Sequence, residues 1–250
     1  MSGTPRTGSA TPSMTAAHFF VDSLAHGTLL LSPDDSRHAL RSLRLRAGET
    51  VTLSDGRGAS GRGRVLGDDR GRAAIAVEEV WDEPARRPVV SVALAPPKGD
   101  RLSWAVQKLA ELGVDEAVLI RSERSVRAWG SERGERAMER LRAIAREAAM
   151  QSRQPSIMDV EGPLVLSEVV GPGSVLLWEG SATPLGGALS EEARAVRLVV
   201  GPEGGFTERE VDQARRAGAA VASLGRGILR TETAALVGAT LALARYGRLG

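Results

Sequence analysis

The sequence predicts an α/β protein in two parts, a small N-terminal β-barrel followed by a larger α/β domain on a largely parallel sheet. Three observations predict it. Residues 18–83 break into short β-rich runs punctuated by Gly and Asp. Residues 89–246 alternate apolar strand-like runs with amphipathic helical ones, the pattern of a parallel sheet covered by helices. Between them, residues 81–88 carry two prolines and four charges, a composition that interrupts regular structure and marks a linker.

In the first part, strands are expected over 18–21, 48–53, 61–66 and 73–80, where β-branched and apolar residues alternate between turn signals. Residues 34–46 read as a helix with Ala39, Leu40 and Leu43 inward and Arg37, Arg41 and Arg44 along one face. Such a stripe either grips phosphates or is an ordinary solvated face. Residues 1–17, rich in Ser, Thr, Gly and Pro, read as a disordered tail without the apolar core of a secretory signal.

In the second part the order is strand 89–95, helix 101–112 closed by Gly113, strand 116–121 and a long helix 132–152 that stops before Pro155. Strands 175–178 and 196–200, helix 208–217, strand 220–224 and a final helix 232–246 follow. Thr207 and Glu210 have capping-box spacing and fix the start of helix 208–217. Thr231 is placed to cap the last helix through its hydroxyl.

Composition narrows the chemistry. Of 250 residues, 42% are hydrophobic and 26% charged, the balance of a packed globular chain. The longest apolar runs, 174–178 and 196–200, fall far short of the ~20 residues that cross a bilayer, so no membrane association is expected. With no cysteine, disulfides, thiolate metal sites and thiol nucleophiles are excluded; no metal is expected, and a cytoplasmic location fits. The basic residues are 31 arginines against Lys98 and Lys108. This favours planar, bidentate phosphate recognition, although a GC-rich genome produces the same bias.

Two segments carry the chemistry. In residues 198–206 an apolar strand runs into Gly201, Pro202, Glu203, Gly204 and Gly205, which leave backbone groups uncovered beside a helix start. In residues 224–235 a strand end meets Gly225 and Gly227, then Arg230 and Glu232 at the mouth of the strand ends, where open α/β sheets bind ligands. Neither segment is a Walker loop or a dinucleotide fingerprint.

Both segments in this order resemble the SPOUT methyltransferases and, within them, the ribosomal RNA small-subunit methyltransferase E family. Supporting matches are the run 18–21, His38 with Ser42 and Arg44, residues 97–100, and Gln107, Lys108, Glu111 and Gly113. Residues 147–153 also match, although the family usually has Glu where Met150 stands.

The resemblance implies a C-terminal α/β trefoil-knot domain over 89–250, a PUA-like barrel over 18–83, a homodimer, and methylation of uridine N3 in 16S rRNA or the 30S subunit. The implied cofactor is S-adenosyl-L-methionine. Its expected partners are backbone groups at Gly201, Gly204, Gly205, Gly225 and Ile228 and apolar walls at Leu176, Leu177 and Leu229. Pro202, Glu203, Leu224, Arg230 and Thr233 complete the set. RNA is expected at Arg37, His38, Arg41, Arg44, Gln151 and Arg153.

Uracil N3 must lose a proton during methyl transfer. All three histidines lie before residue 39, so the candidates in the second domain are Arg230, as a stabiliser of the base anion, and the carboxylates Glu203 and Glu232. Glu203 equally fixes its own loop, and Arg230 with Glu232 equally forms a local ion pair. Two other functions fit the motifs: ribose 2′-O-methylation, and RNA binding without catalysis.

Overall fold

The computed structural model describes residues 16–125 and 132–249. The expected tail lies outside them up to residue 15. The chain divides into two compact units, Met1–Glu83 and Pro84–Gly250.

The first unit contains β1 (Ala17–Phe20), β2 (Gly27–Leu30), α1 (Pro33–Arg37), β3 (Thr50–Ser54), β4 (Ala59–Asp69) and β5 (Arg72–Asp82). They form one sheet in the order β1-β3-β4-β5-β2, with β1 and β3 parallel and the other pairs antiparallel. Alternation places Val51 and Leu53 of β3 and Ile75 and Val77 of β5 in the core with Phe19. β4 crosses β5 closely at Gly63, where an added Cβ would stand 2.5 Å from the Ala76 carbonyl oxygen. β2, only four residues long and mostly exposed, has no alternation to announce it. β5 continues through Asp82, so the first two residues of the expected linker are strand.

The helix expected over 34–46 is a correction. Ser32 caps α1 by accepting from the Asp35 amide at 3.1 Å, but α1 ends at Arg37. A π-helical turn, His38–Ser42, follows, with the Leu43 amide donating to the His38 carbonyl five residues back. The wider turn rotates the face: Ala39 is buried, Leu40 only partly, and Leu43 is exposed. Arg44 lies past the helix in a left-handed conformation, φ 54°, so the three arginines do not form one helical stripe.

The second unit contains β6 (Val89–Leu94), α2 (Arg101–Leu112), β7 (Glu116–Arg121), α3 (Glu132–Ser152), β8 (Asp159–Val165) and α4 (Leu166–Val169). β9 (Ser174–Leu177), α5 (Leu185–Ala188), β10 (Ala195–Val200), α6 (Glu208–Arg216), β11 (Ala220–Ala222) and α7 (Thr231–Arg245) complete it. All six strands are parallel, in the order β11-β9-β10-β6-β7-β8.

Period-two alternation splits the core between the two faces of this sheet. Val90, Val92, Leu94, Leu177 and Leu198 face α2, α3 and α7. Ala93, Ala95, Leu176 and Val199 face the side of α4 and α6 with Phe206 and Val211. α2 ends where Gly113 takes φ 79°, and α6 begins at the expected capping box. β8, α4 and α5 are additions to the expected elements. β8 is half exposed and contains Gly162 and Pro163, which hide it among turn signals.

Candidate active site

Three consecutive strand ends of the second unit open on one cavity of about 570 Å³, part of it open to solvent. β9 contributes Leu177, Trp178 and Glu179. β10 contributes Val200, Gly201, Pro202, Gly205 and Phe206. The segment after β11 contributes Leu224, Gly225, Gly227, Ile228 and Leu229, and the first turn of α7 adds Thr231 and Ala234.

The local sequence explains the shape. Gly205 sits at φ 68° and Gly225 at φ 116°, conformations that side chains seldom adopt. A Cβ at Gly205 would stand 3.3 Å from Glu179 Oε1, so a bare glycine keeps the carboxylate available to the cavity. At Gly225 and Gly227 an added Cβ would meet nothing within 4 Å, and both residues are exposed. Ile228, strongly apolar, is 89% exposed on the rim of the cavity.

Thr231 does not cap α7 as expected. The N-cap is Arg230, without a side-chain hydrogen bond, and the Thr231 hydroxyl instead donates to the Gly201 carbonyl at 2.9 Å. One hydrogen bond therefore joins the two glycine-rich segments.

Of the expected cofactor residues, Leu177, Gly201, Pro202, Gly205, Leu224, Gly225, Ile228 and Leu229 line this cavity. Leu176 does not, because alternation turns it to the opposite face of the sheet, where it is fully buried. Thr233 is also absent from the lining: Thr231 and Ala234 are three residues apart on the pocket face of α7, and Thr233 lies off it. Gly204 turns toward Arg124, whose Nη1 donates to its carbonyl at 2.7 Å. Trp178 and Glu179 join the site from outside the two glycine-rich segments, and Val200, Phe206, Gly227, Thr231 and Ala234 join it from within them. The helical i, i+3 relation of Thr231 and Ala234 is the one signal that could have pointed to them.

The proposed catalytic residues stand outside the lining. Arg230 is exposed at the start of α7. Glu203 Oε1 accepts from the Lys98 amide at 3.0 Å. That hydrogen bond, with the charges of Lys98 and Arg101, outweighs partial desolvation and holds its carboxyl below the usual carboxylate range. This suits a loop tie better than a proton acceptor. Glu232 is buried, and its ion-pair partner is Arg101, not Arg230: Arg101 Nε stands 3.5 Å from Glu232 Oε1.

Arg37, His38, Arg41 and Arg44 are all exposed in the first unit, with Arg37 paired to Asp34. In the second unit Gln151 is exposed beside Trp104, Gln107 and Glu147, and Arg153 follows α3 at φ 57°. Among the described residues no group of three or more His, Asp or Glu is close enough to hold a metal, and no helix is long and apolar enough to cross a membrane.

Residues 84–243 match the family described as RNA methyltransferase domain, and residues 31–78 match the RNA methyltransferase PUA domain. Fold, cavity and these matches define the class: an RNA methyltransferase with a PUA domain in front. The ribosomal RNA small subunit methyltransferase E of Mycobacterium bovis is 35% identical over 90% of each chain. The crystal structure of a ribosomal RNA small subunit methyltransferase E from Neisseria gonorrhoeae, bound to S-adenosyl methionine, superposes with TM-score 0.82 at 29% identity, over 92% of this chain and 97% of that one. A probable rRNA-methyltransferase from Porphyromonas gingivalis superposes with TM-score 0.76 at 31% identity, over 87% and 93%. The chain belongs to the ribosomal RNA small subunit methyltransferase E family.

Proposed function

We propose that this protein transfers a methyl group from S-adenosyl-L-methionine to N3 of a uridine in 16S rRNA of the small ribosomal subunit. The observation that carries this reading is the single cavity made by both glycine-rich segments and stapled by Thr231 to Gly201, in a chain of this family.

The residues present fit the cofactor. Leu177, Phe206, Ile228 and Leu229 offer apolar surface for a purine, and backbone groups of the exposed Gly225 and Gly227 supply hydrogen bonds to its edge. Glu179 supplies an acceptor for hydroxyl or ammonium groups. The bound cofactor supplies an electrophilic methyl on a sulfonium, and the chain's contribution is to hold donor and base in line. The absence of any cysteine removes thiolate attack on pyrimidine C6 from this chain's repertoire, which directs transfer to a ring nitrogen or a ribose oxygen.

The cofactor set comprises the expected residues that line the cavity together with Glu179 and Thr231. Exposed Arg37, His38, Arg41, Arg44, Gln151 and Arg153 contact RNA. The active form is a cytoplasmic homodimer. Mass spectrometry of nucleosides from RNA incubated with protein and cofactor tests the reaction: 3-methyluridine is expected. A 2′-O-methylnucleoside in its place would establish the ribose reading, and no methylated product from naked 16S rRNA or 30S particles would remove both.

A further inference from the structure

Next to the cofactor cavity, at the adjoining pair of strand ends, lies a second constellation of side chains. β6 and β10 are parallel neighbours paired from Val89 with Ala195 to Leu94 with Val200, so the loops that follow them emerge side by side. The Lys98 amide and Glu203 tie those loops together. Arg101, the first residue of α2, approaches Glu232 in the first turn of α7. Glu232 directly follows Thr231, which lines the cavity. The two sites therefore share one helical turn.

Glu232 is more than nine-tenths buried, and its Oε2 is shielded from solvent with no hydrogen-bond partner. Buried polar atoms are ordinarily satisfied, and a carboxylate needs a donor more than a neutral group does. Arg101 does not meet that need. It reaches the other oxygen, through one nitrogen, at 3.5 Å, longer than a good charge-assisted bond. Its side chain is 42% exposed, which gives it room to turn. Glu232 Oε2 is a buried acceptor without a donor, one residue from the cavity-lining Thr231, and a base whose entry displaces Arg101 would supply that donor.

We propose that Glu232 and Arg101 read the acceptor base, an assignment that rests on the uridine reading above. Uracil presents N3–H between two carbonyl oxygens. Glu232 Oε2 accepts from N3–H, and Arg101 turns from Glu232 to donate to a flanking carbonyl. Cytosine places an unprotonated nitrogen at the same point, and a carboxylate repels it. The N3 proton first passes to Glu232 Oε2, which frees the in-plane N3 electron pair while Arg101 stabilises the charge gathering on the carbonyl oxygen. That pair then forms the bond to the methyl carbon as the methyl–sulfur bond breaks and its electron pair returns to sulfur. The stabilising cation is then Arg101 in place of Arg230.

The test uses wild type, the isosteric Glu232→Gln and the half-exposed Arg101→Gln. The nucleotide methylated by wild type in unmodified 16S rRNA is first located by mass spectrometry. RNA carrying uridine or cytidine there is then bound to each protein with S-adenosylhomocysteine present. Wild type is expected to favour uridine about ten-fold. Glu232→Gln should bring the two RNAs within about three-fold and lower kcat by roughly 100-fold or more, while S-adenosylhomocysteine affinity and melting temperature stay as in wild type. If Glu232→Gln fails to fold, Arg101→Gln should show a reduced preference and reduced kcat with cofactor affinity intact. Full uridine preference in a folded variant, beside a wild type that makes 3-methyluridine, overturns this proposal alone. A wild type that methylates anything other than uracil N3 overturns the functional reading and this proposal with it.

Discussion

The Thr231 hydroxyl donates to the Gly201 carbonyl across 2.9 Å, joining the end of β10 to the start of α7. Gly201 and Thr231 both line the cavity, so the bond sets its width. Thr231→Val keeps the shape of the side chain and removes the donor, leaving a half-buried carbonyl short of a partner. A loss of about 1–2 kcal/mol in stability is expected, and separately roughly ten-fold weaker S-adenosylhomocysteine binding, because ligand binding must then order a cavity that the bond no longer holds in shape. Thr231→Ser should retain most of both. Calorimetry on the three proteins decides, and wild-type affinity in Thr231→Val would show that the bond does not shape the pocket.

Glu203 predicts an acid sensitivity. Its carboxyl is held below its ordinary value of 4.5, first by the Lys98 amide, next by its own backbone amide and then by the charges of Lys98 and Arg101. A depressed folded value stabilises the structure above the ordinary value, and that contribution is lost as pH falls through the folded value. The tie between the two loops should therefore weaken below about pH 4.5. Glu203→Gln, which cannot ionise, should show a shallower loss of melting temperature across that range than wild type. Parallel acid profiles for the two proteins would mean that this carboxylate does not govern the loop.

Much of this architecture is legible in the sequence because it depends on local signals. α2, β7 and α3 occupy the expected residues, with Gly113 stopping the first of them at positive φ and Thr207 with Glu210 opening α6. The two glycine-rich strand ends are equally local, and they located the cavity. What escaped depends on the third dimension. Leu176 and Leu177 are equivalent as letters, but period-two alternation admits only Leu177 to the cavity. Trp178 and Glu179 belong to the site by overhanging β9, a four-residue strand with no motif. Arg101 and Glu232 lie far apart in sequence, and nothing in either segment announces the partner. The helix over 34–46 failed because a period of 3.6 cannot reveal a π-helical turn at His38–Ser42.

Gly63 is where β4 and β5 approach most tightly. An added Cβ would stand 2.5 Å from the Ala76 carbonyl oxygen and 2.8 Å from Ile75 Cγ2, and the first of these is backbone that cannot swing aside. Gly63→Ala should destabilise the first unit by about 1–3 kcal/mol, the usual range for overpacking. Because the cavity lies wholly in the second unit, S-adenosylhomocysteine affinity should be unchanged while RNA affinity falls. Equal losses of both would contradict this division of labour.

The exposed arginines near α1 differ in what they can offer RNA. Arg37 is already paired with Asp34, whereas Arg41 is exposed and Arg44 projects from a left-handed residue beyond the helix. Replacing Arg41 and Arg44 together by Gln should flatten the plot of log affinity against log salt by roughly one to two in slope, one phosphate contact each. Arg37→Gln alone should change it much less. An unchanged slope in the double variant would assign these residues to a solvated face.

Arg248 anchors the end of the described chain with more contacts than any surface pair provides. Its Nη1 stands 2.5 Å from Asp115 Oδ2 and 2.9 Å from the Pro88 carbonyl, and its Nη2 reaches Asp115 Oδ1 at 3.0 Å and the Gly113 carbonyl at 2.6 Å. Asp115 Oδ2 also accepts from the Val90 amide at 2.7 Å, so the network ties the residues after α7 to β6 and to the turn between α2 and β7. The Arg248 side chain is only 9% exposed and Asp115 22%, which removes most solvent screening. Arg248→Ala leaves that carboxylate and two carbonyls short of donors. A loss of about 3 kcal/mol is expected, the lower end for breaking a buried pair because Asp115 keeps some access to water. Arg248→Lys supplies charge without the planar fork and should recover less than half of it. Urea denaturation of the three proteins measures this directly, and a loss under about 1 kcal/mol in Arg248→Ala would put the pair with ordinary surface ion pairs.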